Sequence, residues 1–467
     1  MTALELAAAV RRRELSPVEI TEHYLDRIER LNDTVGAFVT VTAEDARASA
    51  KQAELAVADA ADPAALPPLH GVPVPIKDLD MVQNVRWTWG SAAFEDQIAP
   101  LDDDVVTAIR RAGAVLLGKT QAPEFGLPPY TENAVGPPAR TPWDLTRSAG
   151  GSSGGAAAAV AAGLAPVAQG SDGGGSVRIP ASVCGLVGIK PSRGRISSGP
   201  IKPDLIGLST AGPLARTVRD AALLLDAMVI RSPGDMYWAP SADGGFLGCA
   251  EREPGRLRIA RFATSPVPGG DPHPDVLAAY EAATTLLTDL GHEVEEITPP
   301  FGPELIAPFE TVWAAMSTLY PVAPDREDRL LPLSRWLRER GQATAVPEYL
   351  NACTALQWAM RAAMPLLESY DAVLNPTVSL PPVPLGYFTD GADGAEEFER
   401  IKGFAAFTAT YNVSGQPAVS LPLFWTDEGL PTGIMLAGRP GDEATLISLS
   451  AQLEAARPWH GRRPEVW

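Results

Sequence analysis

The chain has 467 residues, 45% of them hydrophobic and 20% charged, and a formal net charge of −19. This is a soluble globular composition, long enough for one large domain or two to three ordinary ones. The acidic balance argues against a nucleic-acid or anionic-membrane surface. Cys184, Cys249 and Cys353 lie far apart without a C-x-x-C pair, so they read as buried free thiols, and no metal site is expected. Arg11-Arg12-Arg13 follow the first apolar helix instead of preceding it, unlike a secretory leader. No run reaches the roughly 18 apolar residues of a membrane span. The expected location is cytoplasmic.

In chain order, Ser16-Pro17-Val18-Glu19 is a capping-box pattern that opens a helix to about Leu31. A strand is expected over 37–42, a helix over 43–60, and a short buried strand over 71–78 that ends near Lys77. Asp102-Asp103-Asp104 starts a helix over 105–112, and 114–118 reads as a strand. Prolines and polar residues make 128–148 a loop. The alanine-rich stretch 154–163 should be a helix launched from a serine pair, and 209–228 ends in another. Residues 230–255 read as a connector. Strand 256–261, helix 274–290 and strand 293–297 come next, and 302–366 is mainly helical. A helix around 396–411, strands near 417–421 and 432–437 and a helix over 441–456 complete the pattern. Strands and helices mixed throughout predict an α/β fold on a large sheet.

Three short patterns compete for the chemistry. Gly113-Ala-Val-Leu-Leu-Gly118-Lys119-Thr120 matches the phosphate-loop string, but its apolar interior favours a buried strand over an exposed anion cradle. Gly150-Gly-Ser152-Ser-Gly154 fits the nucleophile elbow G-x-S-x-G, yet no hydrophobic strand precedes it. The histidines available after it, His273, His292 and His460, read as structural. The third constellation joins Lys77 to two glycine-wrapped serine clusters, 150–155 and 172–178. Serine needs a base to attack, and a lysine made neutral by burial supplies one. Lys77, one of only six lysines, is flanked by Ile76 and Leu79, which favours its desolvation. Glycines beside a serine let backbone N–H groups reach a reacting carbonyl.

These clusters, together with Cys184-Gly-Leu-Val-Gly-Ile-Lys190-Pro191, resemble the amidase signature family. The serines Ser152 and Ser176 stand 24 residues apart, as in that family. Segments beginning at Gly212-Pro213, Asn412-Val-Ser-Gly-Gln416-Pro417 and Gly429-Leu-Pro-Thr-Gly433 extend the likeness over nearly the whole chain. The resemblance implies one domain over 1–467, with a large mixed β-sheet covered by helices on both faces. Its conserved-type core would occupy about 65–228 and 370–460, and a variable helical pocket region about 300–370.

By the same resemblance, Ser176 is the nucleophile, Ser152 the bridging serine on a cis peptide, and Lys77 the base. The N–H groups of Gly173, Gly174, Gly175 and Ser176 form the oxyanion hole. Asp172 and Arg178 brace the loop as an ion pair, and Ser153 is a supporting hydrogen bonder. Tyr130, Trp313, Met316 and Tyr320 are candidate pocket residues, with simple core packing as the competing reading. The implied enzyme is an amide hydrolase without cofactor, acting on small aryl or alkyl amides as a monomer or homodimer. The Ser171-Asp-Gly-Gly-Gly form, with glycine at 173, resembles branches acting on cyclic aminohexanoate oligomers, aryl acylamides or aryl carbamates. A carbamate (urethane) hydrolase is therefore the first alternative. An amidotransferase subunit working in a partner complex is another, though Arg178 is followed by Ile179 and not by glutamine. An ATP-using ligase is a third.

Overall fold

Two β-sheets carry the molecule, where the sequence led us to expect one. The computed structural model describes residues 1–203, 205–241 and 244–467; positions 242 and 243, in the 230–255 connector, and 204 lie outside the described residues. A small sheet takes β1 (Phe38–Val41), β2 (Pro73–Lys77) and β3 (Val115–Thr120) in the order β1-β3-β2. β2 runs parallel and β1 antiparallel to β3.

The large sheet has eight strands: β4 (Val167–Asp172), β5 (Val187–Lys190), β6 (Thr210–Ala215), β7 (Arg258–Arg261), β8 (Glu293–Glu296), β9 (Ala372–Pro376), β10 (Ala418–Trp425) and β11 (Pro431–Gly438). Their order is β4-β6-β5-β10-β11-β9-β7-β8. Pairing is antiparallel from β4 to β9 and parallel among β9, β7 and β8, so the sheet is mixed. Every residue from Ala418 to Phe424 is buried, as is all of β11, so both faces of the central strands are covered. That explains why these strands read as continuous apolar runs and not as alternating ones.

Local signals were honoured where they were strong. Ser16 Oγ accepts the N–H groups of Val18 and Glu19, and Glu19 closes the capping box. Such a cap is worth about 1 kcal/mol. The helix it starts runs to Val35, beyond the expected Leu31, until Gly36 turns left-handed at φ 64°. β6 lies inside the segment expected only to lead into a helix, because Gly212 and Pro213 hide its strand pattern. The helix expected over 396–411 stops at Phe404, and a separate short turn of helix follows at Thr410–Ser414.

Four helices matter for the site: α1 (Gly154–Ala161), α2 (Arg178–Cys184), α3 (Ile306–Ser317) and α4 (Gly394–Phe404). All residues of α1 and α2 are buried. One continuous apolar cluster extends from Ala3 to Trp459 and joins both sheets. Among the described residues, no helix is long and apolar enough to cross a membrane.

Candidate active site

The site forms where the end of β2 meets the end of β4 and the turn before α1. Gly150 enters that turn at φ 71°, and the Gly151–Ser152 peptide is cis. A side chain at Gly151 would stand 2.6 Å from the backbone of Tyr130, so only glycine allows the turn to pack here. Ser153 holds the turn against the second cluster. Its N–H donates to Ser176 O at 3.1 Å, while its hydroxyl donates to Ser171 O at 3.1 Å and accepts from Ser171 N at 3.2 Å.

Lys77 ends β2 with no exposed surface. Its Nζ lies 2.7 Å from Ser152 Oγ, 3.1 Å from Ser171 Oγ and 3.3 Å from Ser171 O. Burial drives its pKa down to about 7, against the opposing pull of Asp80 and Asp172. A neutral amine has two N–H donors and one lone pair. Ser171 offers two acceptors, which leaves the lone pair for the Ser152 hydroxyl. Gln169 anchors the lysine from behind, accepting Lys77 N at 2.9 Å and donating to Asp80 at 2.9 Å.

The loop 173–176 follows β4. Asp172 and Arg178 are both fully buried and meet through two bonds, Nη2–Oδ1 at 2.8 Å and Nε–Oδ2 at 3.0 Å. Burial alone would raise the Asp172 pKa, but the charge and hydrogen bonds of Arg178 hold it well below the usual carboxylate range. Arg178 also donates to Thr408 O at 2.9 Å and Asn412 Oδ1 at 2.6 Å. Asn412 returns a bond to Asp172 Oδ1 at 2.9 Å, and Thr408 Oγ1 donates to Gly174 O at 2.6 Å. The expected brace is therefore present and larger than an ion pair. One expectation is corrected: Gly175 N–H donates to Asp172 Oδ1 at 2.8 Å, so it is committed to the brace and not to an oxyanion. The candidate donors are then the N–H groups of Gly173, Gly174 and Ser176.

Two cavities open onto the serines. An apolar chamber of about 120 Å³ is lined by Gly174, Ser176, Leu127, Ile179, Ile306 and Phe309 among others. A second chamber of about 220 Å³ is lined by Ser152, Ser171 and Gly173, by Trp89, Phe125 and Tyr320, and by Asp80, Asp103 and Lys202. Trp313 lines both chambers, as expected of a pocket residue, and Met316 and Tyr320 line the second. Tyr130 lines neither. Its ring stacks on Phe388 with centroids 5.0 Å apart, and its hydroxyl donates to Glu397, so packing holds it beneath the serine turn.

The competing motifs resolve structurally. Lys119, of the phosphate-loop string, is fully buried in β3 and donates to Asp78 at 2.9 Å and Asp80 O at 2.6 Å. His292 accepts Leu257 N and meets Gln452, and His273 caps a helix, both in structural positions. Sequence reasoning missed Ser171, Gln169, Thr408 and Ile306. Ser171 stands directly before Asp172, which was the available signal.

Comparisons with known proteins place the chain among the amidases. The Amidase family matches residues 19–447. A putative amidase of Synechocystis sp. is 39% identical over 97% of this chain and 88% of its own length. A solved 6-aminohexanoate cyclic dimer hydrolase superposes with a TM-score of 0.89 at 33% identity, covering 100% of this chain and 99% of that one. A bacterial aryl acylamidase of the amidase signature enzymes also gives 0.89, at 26% identity and 99% coverage of both chains. The family and these relatives make the chain a hydrolase of carbon–nitrogen amide bonds. The chain belongs to the amidase signature family.

Proposed function

We propose that the chain hydrolyses small aryl or alkyl amides through an acyl-enzyme formed on Ser176, with Ser152 as proton relay and Lys77 as base. The observation that carries this reading is the fully buried Lys77 amine 2.7 Å from Ser152 Oγ, beside a glycine loop braced by Asp172 and Arg178. Neutral Lys77 takes the Ser152 proton as Ser152 takes that of Ser176, and Ser176 Oγ attacks the amide carbon. The N–H groups of Gly173, Gly174 and Ser176 receive the oxyanion. Collapse breaks the C–N bond, and the proton on Lys77 returns through Ser152 to the leaving nitrogen. Water then gives one proton to the same relay and attacks the ester carbon, and the relay returns that proton to Ser176 Oγ as the acid departs.

The likeness to an aryl acylamidase and a cyclic-dimer hydrolase supports aryl and alkyl amides as the substrate class. Turnover of 4-nitroanilides tests the reading. Wild-type protein should release nitroaniline and Ser176→Ala should not; equal rates would remove the assignment.

A further inference from the structure

The two chambers divide the reacting serines between them. Ser176 and Gly174 line the apolar chamber, whereas Ser152, Ser171 and Gly173 line the second. Trp313 marks the boundary: its ring lies 3.5 Å from where a Cβ on Gly173 would stand and 3.7 Å from one on Gly174. The stripe that separates the chambers comes from α3 and the turn after it. Ile306 and Phe309 face the apolar side, Trp313 both, and Met316 and Tyr320 the second chamber, at the spacing of one helix face.

The chemistry orients the substrate. At collapse the leaving nitrogen must take a proton from Ser152, so it must lie on the side to which Ser152 opens. The acyl carbon is bonded to Ser176, so its substituent extends on the side to which Ser176 opens. The apolar chamber suits an apolar group: Glu310 and Lys402, the charged residues on its wall, are paired with each other at 2.5 Å. The second chamber has an aromatic wall in which Tyr320 stacks on Phe125 at 4.3 Å and meets Trp89 edge-on at 5.2 Å. Its wall also carries Lys202 held between Asp80 and Asp103, the latter at 2.7 Å, a cluster with one formal net negative charge.

We infer that the second chamber holds the leaving amine and the apolar chamber the acyl group, so that the enzyme selects amides joining an apolar acid to an uncharged or cationic arylamine. This rests on the assignment of Ser152 as relay and Ser176 as nucleophile. Flat amines stack on the aromatic wall, and the formally negative Asp80–Lys202–Asp103 cluster repels an anionic amine. Trp313 is the specificity-determining residue shared by both halves.

The test uses purified full-length protein, with amine release measured by chromatography. One substrate pair varies the acid, acetyl against hexanoyl 4-nitroanilide. A set of four holds hexanoyl constant and varies the amine, among aniline, methylamine, 4-aminobenzamide and 4-aminobenzoate. Ile306→Phe, which narrows the apolar chamber, should lower the hexanoyl-to-acetyl ratio of kcat/KM about tenfold and leave the amine ratios unchanged. Met316→Phe should lower the aniline-to-methylamine ratio and leave the acyl ratio unchanged. Wild-type protein should prefer the 4-aminobenzamide product to 4-aminobenzoate by about tenfold. Should either phenylalanine variant not fold, Ile306→Ala and Met316→Ala should shift the same ratios in the opposite direction. The reverse assignment of ratios to variants, no change in them, or equal use of the two aminobenzoyl amines overturns the inference. Turnover that survives Ser176→Ala would instead overturn the nucleophile on which it rests.

Discussion

Lys77 Nζ sits 2.7 Å from Ser152 Oγ although the two residues are 75 positions apart in the chain. β2 delivers the lysine and the turn before α1 delivers the serine, and both residues are buried. Since the amine has no exposed surface, its protonation state depends on the fold. From this pairing follow consequences for pH, stability and single substitutions.

Activity should follow the titration of Lys77. Its pKa falls to about 7, and only the free amine accepts the Ser152 proton. We expect kcat/KM to rise about tenfold per pH unit below 7 and to level off above it. A flat profile from pH 5.5 to 8 would contradict a lysine base.

Stability should depend on pH in the same sense. The unfolded lysine keeps its proton up to about 10.5, whereas folded Lys77 has lost it above about 7. The unfolded state therefore binds more protons between those values, and folding stability rises with pH across that window. Buried Lys190, also held near 7 by desolvation, adds the same slope. Lys77→Met should reduce the slope of the urea midpoint between pH 7 and 9.5 and lower turnover by about 10²–10⁴-fold. An unchanged slope in a folded variant would show that Lys77 is not titrating there.

Ser171 should tune the titration of Lys77. Its hydroxyl accepts from Lys77 at 3.1 Å, and a hydrogen bond from an ammonium is stronger than one from an amine. Ser171→Ala should thus destabilise the charged form more and move the pH–rate midpoint downward. A midpoint that stays in place or moves up contradicts this role.

The Asp172–Arg178 brace should be a stability element as well as a scaffold. Asp172→Asn leaves a fully buried guanidinium without its countercharge, at a cost of about 3–5 kcal/mol. Chemical denaturation should show that loss alongside reduced turnover. An unchanged unfolding midpoint would refute it.

The sequence made the candidate site legible because each cluster is local. Glycines cluster around Ser152 and Ser176, and the apolar run 72–76 before Lys77 foretold its burial. It also set Lys119 apart from a phosphate site, since the apolar Ala-Val-Leu-Leu before it favours a buried strand, which is what forms. What stayed hidden was non-local. Ser171 meets Lys77 across 94 positions, and Thr408 holds Gly174 O across 234. The loss of Gly175 N–H to Asp172 depends on how the loop curls, which a glycine run leaves open. The Trp313 stripe was visible as a helix face, but only the packed chambers distinguish pocket wall from core. For Tyr130 the same ambiguity fell the other way.

The most direct measurement is the mass of the acyl-enzyme. Wild-type protein mixed with a slowly deacylating hexanoyl ester or anilide and quenched in acid should gain the hexanoyl mass on the peptide containing Ser176, and Ser176→Ala should gain none. A hexanoyl group on Ser152 instead, or steady turnover by Ser176→Ala at the wild-type rate, would contradict the account.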